Sequence, residues 1–212
     1  MDKRKIACIL IIDGWTCVKG AGVVYPLWSP QDHYDYMVDL GSTDIIIASN
    51  DVKFLKKINT AVGVNTIAAL GWSGVFFIQE LFEFGYSKVF LGGANRGSPS
   101  DKERIFFNKM LHIYGSSSFG YTLHFQEKID LVGMEFLSNF NEILLIEDSL
   151  QLMENKEKID EYILMLNKSK SLKNIEVNIC TLFLNYKYWN QGFYKNVNYV
   201  NYCEHGVSKL KW

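Results

Sequence analysis

Residues 31–49 read QDHYDYMVDLGSTDIIIAS: a helical candidate over Gln31–Asp39, a short polar link, and a β-branched strand over Asp44–Ser49. The same alternation recurs on both sides. Strands are expected at Lys5–Ile12, Asn65–Ala69, Lys88–Gly92, Gly120–Phe125, Glu142–Glu147 and Glu176–Phe183, with an eighth candidate at Val197–Tyr202. Helices are expected at Val52–Val62, Val75–Phe84, Ser100–Tyr114, Leu131–Phe140 and Lys156–Lys168. Pro30 after Ser29 and the Ser100-Asp101 pair after Pro99 are credible helix starts, because short oxygen side chains accept the free N–H groups of a first turn.

Apolar strands separated by helices predict an α/β protein with a parallel sheet. Seven or eight strand-plus-helix units favour a TIM-type (βα)8 barrel, with a doubly wound open sheet as the alternative. Such barrels usually take about 250 residues, and this chain has 212. The shortfall falls late, where Asn185–Lys195 is rich in Tyr, Trp and Asn without a helical stripe, so the last quarter is expected to be shortened or rebuilt. The aromatics Tyr186, Tyr188, Trp189, Phe193, Tyr194, Tyr199 and Tyr202 either form a stacking surface for a sugar or partner or cover a flank left by a missing helix.

The length fits one domain over residues 1–212, and 48% hydrophobic residues suffice for a sizeable core. With 22 basic and 23 acidic side chains, no global field draws the chain to nucleic acid or anionic lipid, so neither is expected as a partner. The apolar run Ile6–Ile12 is too short to span a membrane and lacks a leader's cleavage pattern, which gives a cytoplasmic expectation. Cys8, Cys17, Cys180 and Cys203 are scattered and read as free thiols. No two of His33, His112, His124 and His205 stand at ligand spacing, so neither a metal nor another cofactor is expected. Asp13-Gly14 reads as a turn, and the Asp32, His33 and Asp35 cluster as a helix N-terminus.

Several motifs carry a family resemblance. RKIACILIIDGWTCVKG, residues 4–20, resembles the first strand and loop of the HisF-type cyclase subunit of imidazole glycerol phosphate synthase, whose pattern is RIIxCLDVxxGxVVKG. Trp28-Ser29-Pro30 with the run from Leu40 to Ile47 resembles that family's GDP, helix, GADEL succession. Gly85-Tyr86-Ser87-Lys88-Val89, closing at Ser98-Pro99, is similar to its GADKVxxNTxAxxNP segment. Tyr114-Gly115-Ser116 and Asn141–Leu145 are similar to its FGSQ and GEILL elements. The resemblance covers residues 4–147 in order.

It implies a barrel lyase that receives ammonia from a glutaminase subunit and closes an imidazole ring on a substrate with a phosphate at each end. The family's two acid/base aspartates fall here at Leu10, which cannot transfer a proton, and at His124, which can. His124 is thus either an altered acid/base group, with Lys19 of loop one as its anion-binding companion, or a hydrogen-bonded histidine near the barrel rim. A further family aspartate is replaced by Ser49. The phosphate loops become Ala69-Leu70-Gly71 and Gly92-Gly93, which either keep one anion site at Gly71, Gly92 and Gly93 or are plain tight turns.

At the opposite end, the family's ring of charges that gates ammonia aligns with Arg4, Asp44, Lys88 and Glu142, with every sign kept. The other reading is that strands begin with charge because they meet solvent. A rewritten catalytic end beside a retained ammonia end implies a HisF-like subunit partnered by a HisH-like glutaminase, amidating a surface-polysaccharide sugar rather than making histidine. The alternatives are residual cyclase activity on a phosphorylated ligand, or a non-catalytic scaffold barrel. The family's docking aspartate aligns with Ser87, which implies an altered contact with the glutaminase.

Overall fold

The computed structural model describes residues 7–11, 30–39, 41–49, 51–92, 99–124, 136–147, 157, 161, 164, 176–181 and 197–201. The strands are β1 (Ala7–Ile11), β2 (Asp44–Ala48), β3 (Asn65–Leu70), β4 (Lys88–Gly92), β5 (Phe119–His124), β6 (Glu142–Glu147), β7 (Glu176–Thr181) and β8 (Val197–Asn201). Each pairs in parallel with the next, and β8 pairs with β1 through Ala7 opposite Tyr199, so the sheet closes on itself. The sequential strand order rules out a doubly wound sheet, in which the order reverses at a switch point. The β7–β8 pairing slips at Ile179 and Cys180, where the register shifts.

The described helices are α1 (Pro30–Asp39), α2 (Val52–Leu55), α3 (Ile78–Glu83) and α4 (Asp101–Tyr114), with 3-10 helices at Trp72–Phe77 and Ser116–Ser118. Helix α4 starts as its sequence predicts. Ser100 Oγ accepts from Glu103 N–H, and the Glu103 carboxylate accepts from Ser100 N–H at 2.7 Å, a reciprocal cap. Helices α1 and α3 stop alike. Gly41 (φ 82°) and Gly85 (φ 94°) take the left-handed conformation that favours glycine. The next N–H groups reach back, Ser42 to Met37 O and Tyr86 to Leu81 O, both at 3.1 Å.

Two helices depart from expectation. The stretch 52–62 holds only one helical turn: Lys57 and Ile58 N–H bond three residues back, to Phe54 O and Leu55 O, and side chains of α1 take two of the N–H groups that follow. Asn59 N–H donates to Gln31 Oε1 at 2.7 Å and Ala61 N–H to Tyr34 Oη at 2.8 Å. Tyr86 Oη also donates to Leu55 O at 2.9 Å, capping the short helix from outside. The helix expected from Val75 begins earlier, as the tighter 3-10 turn at Trp72, and becomes α-helical only at Ile78. The expected helices at Leu131–Phe140 and Lys156–Lys168 fall mostly outside the described residues, as does the aromatic segment 185–195.

Alternation along the strands divides the buried side chains into two sets. Ile45, Ile47, Ala68, Leu70, Val89, Leu91, Phe119, Leu123, Ile143 and Leu145 join Tyr34, Met37, Leu55, Leu81 and Phe107 in the core between strands and helices. Their alternates Ile46, Ile67, Phe90 and Leu144 are equally buried and stand apart from that core, so they fill the interior of the strand ring.

Candidate functional site

The interior strand positions begin, at the N-terminal strand ends, with Asp44, Asn65, Lys88 and Glu142. Lys88 opens β4 and Glu142 opens β6, with β5 between them. The Lys88 ammonium nevertheless meets Glu142 Oε2 at 2.5 Å. Glu142 is almost entirely buried, its side chain 6% exposed, whereas that of Lys88 is 25% exposed. Removing a carboxylate from water is costly, and a directly bonded ammonium offsets the cost. The reading that these charges merely meet solvent at strand entrances does not fit Glu142.

Asp44 is buried as well, at 4% exposure, and is satisfied differently. Its Oδ1 accepts from Asn65 Nδ2 at 2.9 Å and its Oδ2 from Thr43 Oγ1 at 2.8 Å. One carboxylate is therefore locked by neutral donors, and the other is held by a cation on a flexible stem. Arg4, the fourth member of the expected ring, lies outside the described residues.

Directly above the pair, the Phe90 ring lies 5.9 Å from Lys88 Nζ, close enough for cation–π attraction. Phe90 fits because Gly120 stands beside it on β5. A Cβ added at Gly120 would sit 1.7 Å from Phe90 Cε1. Ile46, Ile67 and Leu144, like Phe90, are buried apolar residues two positions along their strands from Asp44, Asn65 and Glu142. Motif reading missed Asn65, Thr43, Phe90 and Gly120. A glycine inside a strand was the available signal, since it marks close approach of a neighbour.

Of the expected catalytic residues, only the backbone of His124 is described, at the C-terminal end of its strand. His124 is the last residue of β5, in register with Ile146, and its side chain lies outside the described residues, as do Lys19 and Gly93 altogether. Leu10 pairs in register with Ile47. Gly71 and Gly92 follow or close the adjacent strands β3 and β4. Gly71 is buried, and its carbonyl accepts from Gly74 N–H at 2.9 Å, forming the turn into the 3-10 helix. Gly92 (φ 104°) has no room for a side chain, because a Cβ would meet Thr122 O at 2.8 Å and the Tyr121 ring at 2.9 Å.

Other singled-out residues have structural roles. Ser49 is buried and makes a local turn, accepting from Asp51 N–H at 3.0 Å. Ser87 donates through both its N–H and its hydroxyl to Thr66 O. Asp35 is exposed and accepts from Gln31 at 2.7 Å. Among the described residues, no three His, Cys, Asp or Glu groups could together hold a metal ion, and no helix is long and apolar enough to cross a membrane.

No family model matches the chain, and no curated protein does. Among solved structures, the chain is similar to a mutant tryptophan synthase alpha-subunit from the hyperthermophile Pyrococcus furiosus. The TM-score is 0.55 at 10% identity, over 96% of this chain and 87% of that one. It is also similar to a protein from Pseudomonas aeruginosa described as a dihydrodipicolinate synthetase. That TM-score is 0.51 at 11% identity, over 95% of this chain and 71% of the other. At such identities the likeness is one of fold, and the resemblance to the HisF-type cyclase rests on its motifs alone. The chain is thus a parallel-stranded α/β protein with TIM-barrel-type structural neighbours.

Proposed function

We propose that this chain is the synthase-side partner of a HisH-like glutaminase, a HisF-like (βα)8 barrel with a rebuilt C-terminal quarter that takes up ammonia at its N-terminal mouth. The observation that carries the reading is the Lys88–Glu142 pair, part-buried across β5 at the mouth where the family gates ammonia. Asp44, held by Asn65 and Thr43, is the fixed member of this mouth, and Lys88, a quarter exposed, is the member able to swing. Above them, Ile46, Ile67, Phe90 and Leu144 favour neutral ammonia over ammonium, because an unpaired charge in such a layer pays a large desolvation cost.

The replacement of the family's strand-one aspartate by Leu10 argues against ring closure, so the ammonia is assigned to amidation of a surface-polysaccharide sugar in the cytoplasm, with a third protein handling the sugar. The test is glutamine hydrolysis by the glutaminase encoded nearest this gene, measured with and without the purified chain. Stimulation and co-elution are expected, and Lys88→Met should uncouple hydrolysis while leaving co-elution intact. No stimulation and no co-elution would overturn the proposal. It would leave a barrel acting through His124 at the other end, or a scaffold.

A further inference from the structure

Beyond Phe90, towards the C-terminal strand ends, the wall of the strand ring changes character. Alternation along β2, β3 and β4 places Ala48, Ala69 and Gly92 at the next interior positions after Ile46, Ile67 and Phe90. Ala48 pairs with Ala69 and Gly92 with Thr122, so the four positions lie on adjacent strands. The three small residues are part-exposed, although Ile47, Ala68, Leu70 and Leu91 beside them are buried in the core under the helices. The exposure of Ala48 and Ala69 therefore comes from the interior side of the wall. A strand ring of this kind normally fills its interior with layers of bulky side chains. Passing from Ile, Ile and Phe to Ala, Ala and Gly leaves this layer roughly a dozen carbon atoms short, about the size of one substituted six-membered ring.

Small residues alone do not make a site, and Thr122 supplies the second element. It sits on β5 between Tyr121 and Leu123, both packed on the core under the helices, so its own side chain faces the interior. It is in register with Gly92 on one side and Leu144 on the other, and it is 5% exposed. No described group bonds its hydroxyl. Among the described residues only the Trp72 indole N–H is sealed from solvent without a partner. The Thr122 hydroxyl is therefore open to the space that the missing layer leaves, a donor and acceptor free to bond what enters there. Ala48, Ala69, Gly92 and Thr122 are all uncharged, so an ion entering would lose hydration without a counter-charge from this wall.

We infer that the C-terminal mouth, on its β2–β5 side, binds a neutral single-ring molecule whose hydroxyl group meets Thr122 Oγ1. TIM-type barrels hold ligands at this end. What this chain's own residues add is the class of ligand: ring-sized, uncharged, apolar against Ala48 and Ala69, and polar where it reaches β5. That differs from the anion expected at Gly71, Gly92 and Gly93. The inference does not depend on the glutaminase reading, which concerns the Lys88–Glu142 pair at the opposite strand ends.

The experiment is a phenol titration of the purified full chain, followed by NMR through carbon-labelled alanine methyl groups. Saturable shifts at Ala48 and Ala69 are expected, with a dissociation constant of about 1 mM. Thr122→Val should weaken phenol about fivefold by removing one hydrogen bond, and leave benzene, which needs none, unchanged. Ala69→Leu should block both ligands by filling the space, and Ala48→Leu serves the same end if that variant fails to fold. Without ligand, Thr122→Val should keep the thermal midpoint or raise it, because no internal bond is lost. Phenol that leaves both methyl groups unmoved, or that binds Thr122→Val equally well, overturns the inference. A Thr122→Val variant of lowered stability overturns it too, by showing a hydroxyl already bonded within the fold. Inorganic phosphate shifting the same methyl groups where phenol does not would give the mouth to an anion instead.

Discussion

Gly120→Ala tests the packing of the barrel interior at its tightest point. The new methyl would lie 1.7 Å from Phe90 Cε1 and 1.9 Å from Cδ1, roughly half an ordinary carbon contact. The ring must therefore move by about 1.7 Å, and it is itself fully buried. Overpacking of this kind costs about 3 kcal/mol. In a chain of this length that is a fall in Tm of about 6–12 °C. Phe90→Leu alone should cost about 2 kcal/mol by leaving a cavity.

Were the sites independent, the double variant would lose about 5 kcal/mol, the sum of the two. Because the alanine methyl occupies space that the ring vacates, Gly120→Ala with Phe90→Leu should lose about 2 kcal/mol instead. Thermal and urea denaturation followed by circular dichroism measure all four proteins of the cycle. Additivity within about 0.5 kcal/mol, or a neutral Gly120→Ala, would refute the arrangement of Phe90 over Gly120.

Lys88→Met removes the ammonium from a carboxylate that is almost fully buried, and since Lys88 itself is a quarter exposed the loss should be about 2–3 kcal/mol. Lys88→Met with Glu142→Leu should return to within about 1 kcal/mol of the parent in urea denaturation, because two apolar groups need no desolvation offset. Tyr86 is buried, donating to Leu55 O, and burial first and the neighbouring Tyr34 second raise its pKa above the ordinary tyrosine value. The folded state thus keeps a proton that the unfolded chain releases above about pH 10, so stability is intact below that pH and falls above it. Tyr86→Phe should flatten that alkaline decline in pH-dependent urea midpoints, and an unchanged slope would show that Tyr86 ionises freely in the folded protein.

Much of the strand framework was legible because strands and helices impose different periods on apolar residues. The expected Lys88–Gly92 and Glu142–Glu147 strands coincide with β4 and β6, and the Ser100 cap starts α4 where its oxygen can accept. The failed expectations are instructive. In residues 56–62, expected as helix, the Asn59 and Ala61 N–H groups go instead to Gln31 and Tyr34 of α1. The 3-10 start at Trp72 belongs to a turn packed against α4, with the Trp72 ring 5.9 Å from that of Phe107. Neither partner is near in sequence, so no local pattern could announce them.

The site shows the same division. Charged first residues at Asp44, Lys88 and Glu142 were plain in the chain, as were the absence of an acid at Leu10 and the histidine at position 124. Which charges touch was not. Asp44 turns to Asn65 and Thr43, and Lys88 reaches past β5 to Glu142. The alternation of apolar strands with helices, and hence the parallel sheet, follows from local rules, because side-chain period and chain chirality act within a few residues. Packing in three dimensions sets the return of β8 to β1, the seat of Phe90 over Gly120, and the partners of the two buried carboxylates, an amide and a hydroxyl for Asp44 and an ammonium for Glu142. Those outcomes depend on groups distant in the chain being brought within a few ångströms by strand pairing and by curvature of the sheet, which no local pattern announces.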